Sequence, residues 1–385
     1  MASPPTAYTP RVIRLRWLAP CATAVVVACG GLTATLPPEP DGGGGSTADA
    51  ATNVGPDAPS TPTADGPSGG GQDGHESTDG APEAGAPVAC SSQPVVLVSN
   101  VYMPQQIAAD ATNLYFSGLD DTTEADAIYQ IGKGAVGGTP LKISDPDRQP
   151  WSLMTDGTYL YWNDTLDPAA IRRISPGGSG ETTLFSVDVW GVALSATSLL
   201  WVTSTGSVES MPKAGGAVTT LGVAPGAASS AVYGVAVDAN NFYFVATSSL
   251  SATISSVPLS GGSVTNLATV PDDVTALAAD SNNVYFVAGD ALTRVPLAGG
   301  ATSVVAQGFS GTIALKVDSG NAYATILKGN GPTGSVLRVP VTGGTPLVIA
   351  SSQWDPYGLT VDDNCVYWAD MGSSAGIGAI MMAAK

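Results

Sequence analysis

From residue 90 onward the chain alternates short apolar runs with polar turns, and the same order of runs returns seven times. Each unit opens with an apolar triplet and passes a residue that is usually Asp. A short polar turn and an aromatic strand follow. Units one and two read Ile107-Ala-Ala-Asp110-Ala-Thr-Asn-Leu-Tyr-Phe116 and Leu153-Met-Thr-Asp156-Gly-Thr-Tyr-Leu-Tyr-Trp162. The anchor residues of units one to seven are Asp110, Asp156, Ser195, Asp238, Asp280, Asp318 and Asp362, at intervals of 46, 39, 43, 42, 38 and 44 residues. A third strand comes next, such as Val336-Leu-Arg-Val339. Then comes a Gly-Gly pair, as at Gly299-Gly300, and a fourth strand, such as Pro346-Leu-Val-Ile-Ala350. Gly supplies the positive φ that tight hairpin turns require.

Four short antiparallel strands in roughly 42 residues is the period of a β-propeller blade. Runs such as Val284-Tyr-Phe-Val-Ala288 are apolar at successive positions. A sheet sandwiched between two neighbours needs that, whereas a one-sided sheet would alternate. The pattern therefore predicts an all-β fold, a seven-bladed propeller over 90–385. The seventh unit holds only three strands, and Pro94-Val-Val-Leu-Val-Ser99 matches Pro346-Leu-Val-Ile-Ala-Ser351. Strand 94–99 is expected to complete the last blade and leave no sheet edge open. Cys90 and Cys365 then lie about two strand spacings apart, within reach of each other, and are expected to form a disulfide.

The Asp-turn-Asn-x-Tyr-[Phe/Trp] core resembles the YWTD repeats of LDL-receptor propellers and also NHL-type repeats, with Val366-Tyr-Trp-Ala-Asp370 the nearest copy. The chain as a whole resembles predicted propeller lipoproteins of myxobacteria. Arg11, Arg14 and Arg16 precede an uncharged stretch, Trp17 to Ala28. It is too short to span a bilayer as a helix and suits a signal-peptide core. Val26-Val-Ala-Cys29-Gly30 resembles the bacterial lipobox. That resemblance implies cleavage before Cys29, diacylation of its thiol and, with Gly30 rather than Asp next, an outer-membrane lipoprotein on the periplasmic or cell-surface side. Residues 1–28 are thus expected to be a signal peptide. Residues 29–89, rich in Gly, Pro and Asp and devoid of aromatic residues, are expected to form a disordered tether.

Charge narrows the function classes. Lys and Arg number 14 against 32 Asp and Glu, for a net −18. That balance opposes nucleic-acid binding and polybasic docking to anionic lipid. The one His, His75, falls in the tether, which leaves little room for His-based catalysis or His metal sites. No cofactor and no metal are expected. The anchor Asp residues fit turn capping, in which a carboxylate bonds nearby backbone. Gly329-Asn-Gly-Pro-Thr-Gly334 satisfies a dinucleotide pattern but links two strands and carries Pro332, so it reads as a loop. Asp120, Asp121, Glu124 and Asp126 read as a solvated acidic loop. Arg172, Arg173, Arg294 and Arg338 lie on third strands, away from any central channel.

One pattern points to binding. Five residues before the anchor, where the innermost strand starts, stand Trp151, Trp190, Tyr233 and Tyr357 in units two, three, four and seven. Trp354 and Phe309 are near in sequence. Aromatic residues around one mouth of a propeller make a contact surface at low entropic cost. Asp145, Asp147, Asp188, Asp272, Asp273 and Asp355 would make that mouth acidic and suited to a cationic or polyhydroxyl ligand. The expected function is a monomeric, lipid-anchored cell-envelope module that binds or scaffolds a protein, peptide or glycan. The alternative is a lactonase- or lyase-like envelope enzyme using channel carboxylates and a divalent cation.

Overall fold

Unit five shows how the pattern becomes structure. Val274–Ala279, Asn283–Ala288, Ala291–Pro296 and Ser303–Gln307 pair in order as an antiparallel meander. Its second strand buries Val284, Tyr285, Phe286 and Val287 completely or nearly so, because both faces of the sheet are covered. The Gly pair turns the chain with φ of 77° and 120° at Gly299 and Gly300, values that disfavour other residues. The coordinates are a computed structural model. It describes residues 90–385, apart from 121–124, 146–149, 165–167, 190, 225–233, 248–250, 272–273, 319, 330 and 374–375. The expected signal peptide, Cys29, the tether and His75 lie outside the described residues.

The expectation of a seven-bladed ring is corrected. The strands form six hydrogen-bonded sheets, five of four strands and one of eight. The first strand, Val95–Tyr102, runs longer than the pattern 94–99 indicated. It pairs along its length with Ile377–Ala384, from Val95↔Met382 to Tyr102↔Ile377. Its last residue, Tyr102, also pairs with Leu119 on the second strand of unit one. Units one and seven are thereby joined in one sheet. Backbone bonding makes this join, and no side-chain period marks it.

The core is a series of clusters between successive units, not one central mass. Tyr285, Val287 and Leu292 of unit five pack on Leu315, Ala322 and Ile326 of unit six. Leu97, Val98 and Met382 pack with Ile107, Leu114 and Phe116 across the joined sheet. Each such fully buried side chain contributes about 1.5–3 kcal/mol. Near the axis the fit depends on glycine. A Cβ on Gly191 would stand 3.2 Å from Val235, and one on Gly234 would stand 3.1 Å from Leu277. In both cases the aliphatic residue three before the next unit's anchor occupies the space. Gly358 faces the backbone of Gln105 and Ile107 in the same way, and its N–H donates to the Gln105 carbonyl at 2.8 Å.

The disulfide Cys90–Cys365 is present, with Cα atoms 5.8 Å apart, inside the usual range. It ties the segment before the first strand to the last unit, which also bonds that segment through the Ala384 N–H and the Ser91 carbonyl.

Candidate functional site

The repeated Asp forms a turn with a fixed set of partners. In unit one, Asp110 Oδ1 accepts the backbone N–H groups of Thr112 and Asn113, each at 2.7 Å. Its Oδ2 accepts the Tyr115 hydroxyl at 2.6 Å. The same three bonds recur at Asp156, Asp238, Asp280, Asp318 and Asp362, with Tyr161, Tyr243, Tyr285, Tyr323 and Tyr367 as phenol donors. Ser195 keeps the backbone bonds, from Thr197 and Ser198. The phenol position there is Leu200. Carboxylate and phenol are thus present together or absent together. Turn capping is the role these residues fill. The phenol partner was missed in the sequence, although the fixed five-residue spacing from Asp to Tyr, broken only with Ser195, is the signal for it.

Lysines from adjacent units complete part of this rim. Lys133, Lys213 and Lys385 each follow a third strand, and they pair with Asp362, Asp156 and Asp318 at 2.8, 2.7 and 2.7 Å. Burial alone would raise the Asp318 pKa. The Lys385 ammonium and the N–H groups of Gly320 and Asn321 outweigh it and hold the carboxyl at about 2. Asp156 and Asp362 are held low on the same grounds. Burial, aided by the facing carboxylates, raises the phenols, to about 12 for Tyr161, Tyr285 and Tyr323.

The other candidates separate. Asp120 is bound to Lys142 at 2.7 Å, while Asp121 and Glu124 lie outside the described residues. Burial, with the charge of Asp164, pushes Asp126 up to about 6. Arg172 pairs with Asp164 at 3.0 Å, Arg173 donates to the Lys213 carbonyl, and Arg294 donates to that of Val341. These arginines join strands and units. Among the described residues no three His, Cys, Asp or Glu side chains converge to hold a metal ion.

The innermost strands surround a central channel of about 530 Å³. Its described lining carries no carboxylate. Trp151 lines the channel and is half-buried. Its N–H donates to the Asn163 carbonyl at 3.0 Å, as Gln105 does to Ser117 in unit one, so the two occupy equivalent stations. Tyr357 is half-buried beside channel-lining Gly358, and burial raises its pKa. Trp190 and Tyr233 lie outside the described residues. Trp354 is 37% exposed, whereas Phe309 is fully buried between units and is core.

Buried polar residues seven positions after the anchor support this mouth, and the sequence reading missed them. Ser117, Asn163 and Thr325 accept the N–H groups of Gln106, Ser152 and Ala314 in their own units. Asn163 and Thr325 also donate to the carbonyls of Val189 and Tyr357 in the next. A polar residue among apolar neighbours at one repeat position is the signal that marks them. Beside Tyr357, Asp355 holds a positive φ of 52° and has one buried carboxylate oxygen without a partner. Burial raises its pKa. Asp370 accepts the N–H groups of Trp354 and Gly372, yet burial and the charge of Asp355 push it up to about 6.

No protein-family description matches this chain, and no curated protein matches it. Solved structures do. The crystal structure of the computationally designed Ika8 protein has a TM-score of 0.55 at 14% identity, over 76% of this chain and all (100%) of that one. The structure of YCF48 bound to D1 peptide has a TM-score of 0.54 at 12% identity, over 76% of this chain and 94% of that one. At such identities the likeness is one of fold alone, the β-propeller.

Proposed function

We propose that this protein is a binding or scaffolding module of the bacterial cell envelope, anchored through a lipid on Cys29, that docks a protein or peptide at the channel mouth. The observation that carries the reading is the partial exposure of Trp151, Tyr357 and Trp354 near one end of the innermost strands, whereas the Tyr-Phe and Tyr-Trp pairs of the second strands, such as Tyr161-Trp162 and Tyr367-Trp368, are buried. Half-exposed aromatics of this kind supply binding energy with little ordering cost. Trp190 and Tyr233 hold the same repeat position in the sequence, outside the described residues. The similar fold of YCF48, solved bound to D1 peptide, supports a peptide as the partner class. The disulfide supports an exported protein, since such bonds persist in oxidising compartments. The lipobox-like run at Val26 to Cys29 supports the anchor.

The test is affinity capture from envelope extract with the full chain, compared with a Trp151→Ala/Tyr357→Ala variant. The reading predicts a protein partner retained by the first and lost by the second. Equal retention by both would place the partner elsewhere. For the anchor, Cys29→Ser is expected to release the protein from membranes, and a mature protein without lipid on Cys29 in mass spectrometry would refute it.

A further inference from the structure

Two residues before the anchor, each unit sends one side chain to the same level of the channel. That residue is Ala in units one, three, four and five, Met154 in unit two and Thr360 in unit seven. In unit six it is Lys316. Among the described lining residues, Lys316 is the only charged one. On the strand Thr312–Val317, Leu315 is buried between units, whereas Lys316 lines the channel and is exposed to its solvent. Among the described residues nothing bonds or pairs with its ammonium. The nearest carboxylate in sequence, Asp318, is committed to Lys385, to two backbone N–H groups and to Tyr323.

The surroundings are neutral and polar. Each innermost strand of a four-stranded sheet is paired on one side only, which leaves unpaired backbone groups along its inner edge. At the level of Lys316 four units present only the short side chain of Ala. The volume of about 530 Å³ falls in the range of small-molecule sites and far exceeds that of one water. Desolvation by the surrounding channel wall lowers its pKa. A bound anion would restore the lost solvation. A single ammonium without Arg matches a monoanion, whereas phosphate would leave charge uncompensated.

We propose that the channel is a binding site for a small hydroxylated carboxylate of the sugar-acid class, with its carboxylate on Lys316 and its hydroxyls on the exposed strand edges. The site is independent of whether a peptide docks at the mouth.

Isothermal titration of the full chain with D-glucuronate tests this, with D-glucose as the neutral control. Saturable one-site binding of glucuronate is expected, with no binding of glucose. Lys316→Met should weaken binding at least tenfold and Lys316→Arg less. Ala236→Met, which narrows the lumen at the level of the ammonium without touching it, should also weaken binding. Circular dichroism establishes that each variant is folded. Absence of glucuronate binding at millimolar concentration, equal binding of glucose, or binding by Lys316→Met within twofold of the parent would overturn the proposal. Should Lys316→Met not fold, unchanged affinity in Ala236→Met overturns it instead.

Discussion

The turn rim and the channel differ in how fully their polar groups are satisfied. At the rim, each anchor Asp spends its oxygens on two backbone N–H groups and a phenol, and three of them also take a lysine from the adjacent unit. In the channel, Lys316 has no partner among the described residues, and at the mouth Trp151 and Tyr357 are only half covered. A repeated cluster of carboxylates invites a metal or catalytic reading. Here its repetition reflects a repeated structural task. The capacity to bind something else remains where bonds and contacts are incomplete.

Substitutions at the two regions test this contrast. The largest effect belongs to the disulfide, whose cysteine Cys365 also donates its N–H to Asp362 at the rim. Replacing Cys90 and Cys365 by Ser reopens a 275-residue loop, which in the chain-entropy account costs up to about 5 kcal/mol. Urea unfolding with and without reductant checks it, and the double variant should unfold alike in both. Next is the rim carboxylate. Asp280→Ala removes the acceptor of three bonds and leaves the buried Tyr285 phenol unsatisfied, at about 2–3 kcal/mol. Ser195→Ala, with no phenol to strand, should cost nearer ~1 kcal/mol.

The pH dependence separates the two kinds of carboxylate. Asp126 and Asp370, raised to about 6, bind protons in the folded state before the unfolded chain does. Stability should therefore rise as pH falls from 7 to about 5. Asp110, Asp156, Asp318 and Asp362 are lowered, Asp318 to about 2. Their contribution is present above the unfolded carboxylate pKa near 4 and is lost as pH falls toward 2. Unfolding midpoints across pH 2–7 should pass through a maximum near pH 5, and Asp370→Asn should flatten the neutral-side slope. A small stability effect is expected at the mouth. Trp151 belongs to no inter-unit cluster, so Trp151→Ala should cost less than about 1.5 kcal/mol, against 3–5 for Phe286→Ala in the core.

Much of the fold was legible because the four-strand unit writes itself in side chains. Its anchor Asp, its Tyr-Phe or Tyr-Trp strand and its Gly pair all recur. The covalent tie between Cys90 and Cys365 was legible too, since the resemblance of residues 94–99 to a fourth strand brought the cysteines together. The joined sheet was not, because Tyr102↔Leu119 is a backbone pairing that any residue could make. Lys316 was not legible either. In sequence it is one polar residue between Leu315 and Val317, indistinguishable from a solvated lysine, and only the ring of innermost strands turns that position into a channel wall. Of the four aromatic mouth positions, Trp151 lines the channel and Tyr357 precedes channel-lining Gly358, while Trp190 and Tyr233 lie outside the described residues.

Rim carboxylates hold the fold while the mouth and channel stand free of that duty. A direct comparison of the unfolding free energies of Asp238→Ala and Trp151→Ala in urea tests it. Asp238 accepts the Tyr243 phenol at 2.6 Å and two N–H groups at 2.7 Å, so its loss should be the larger by about 1 kcal/mol or more. A larger loss for Trp151→Ala, or no loss for Asp238→Ala, would contradict the account.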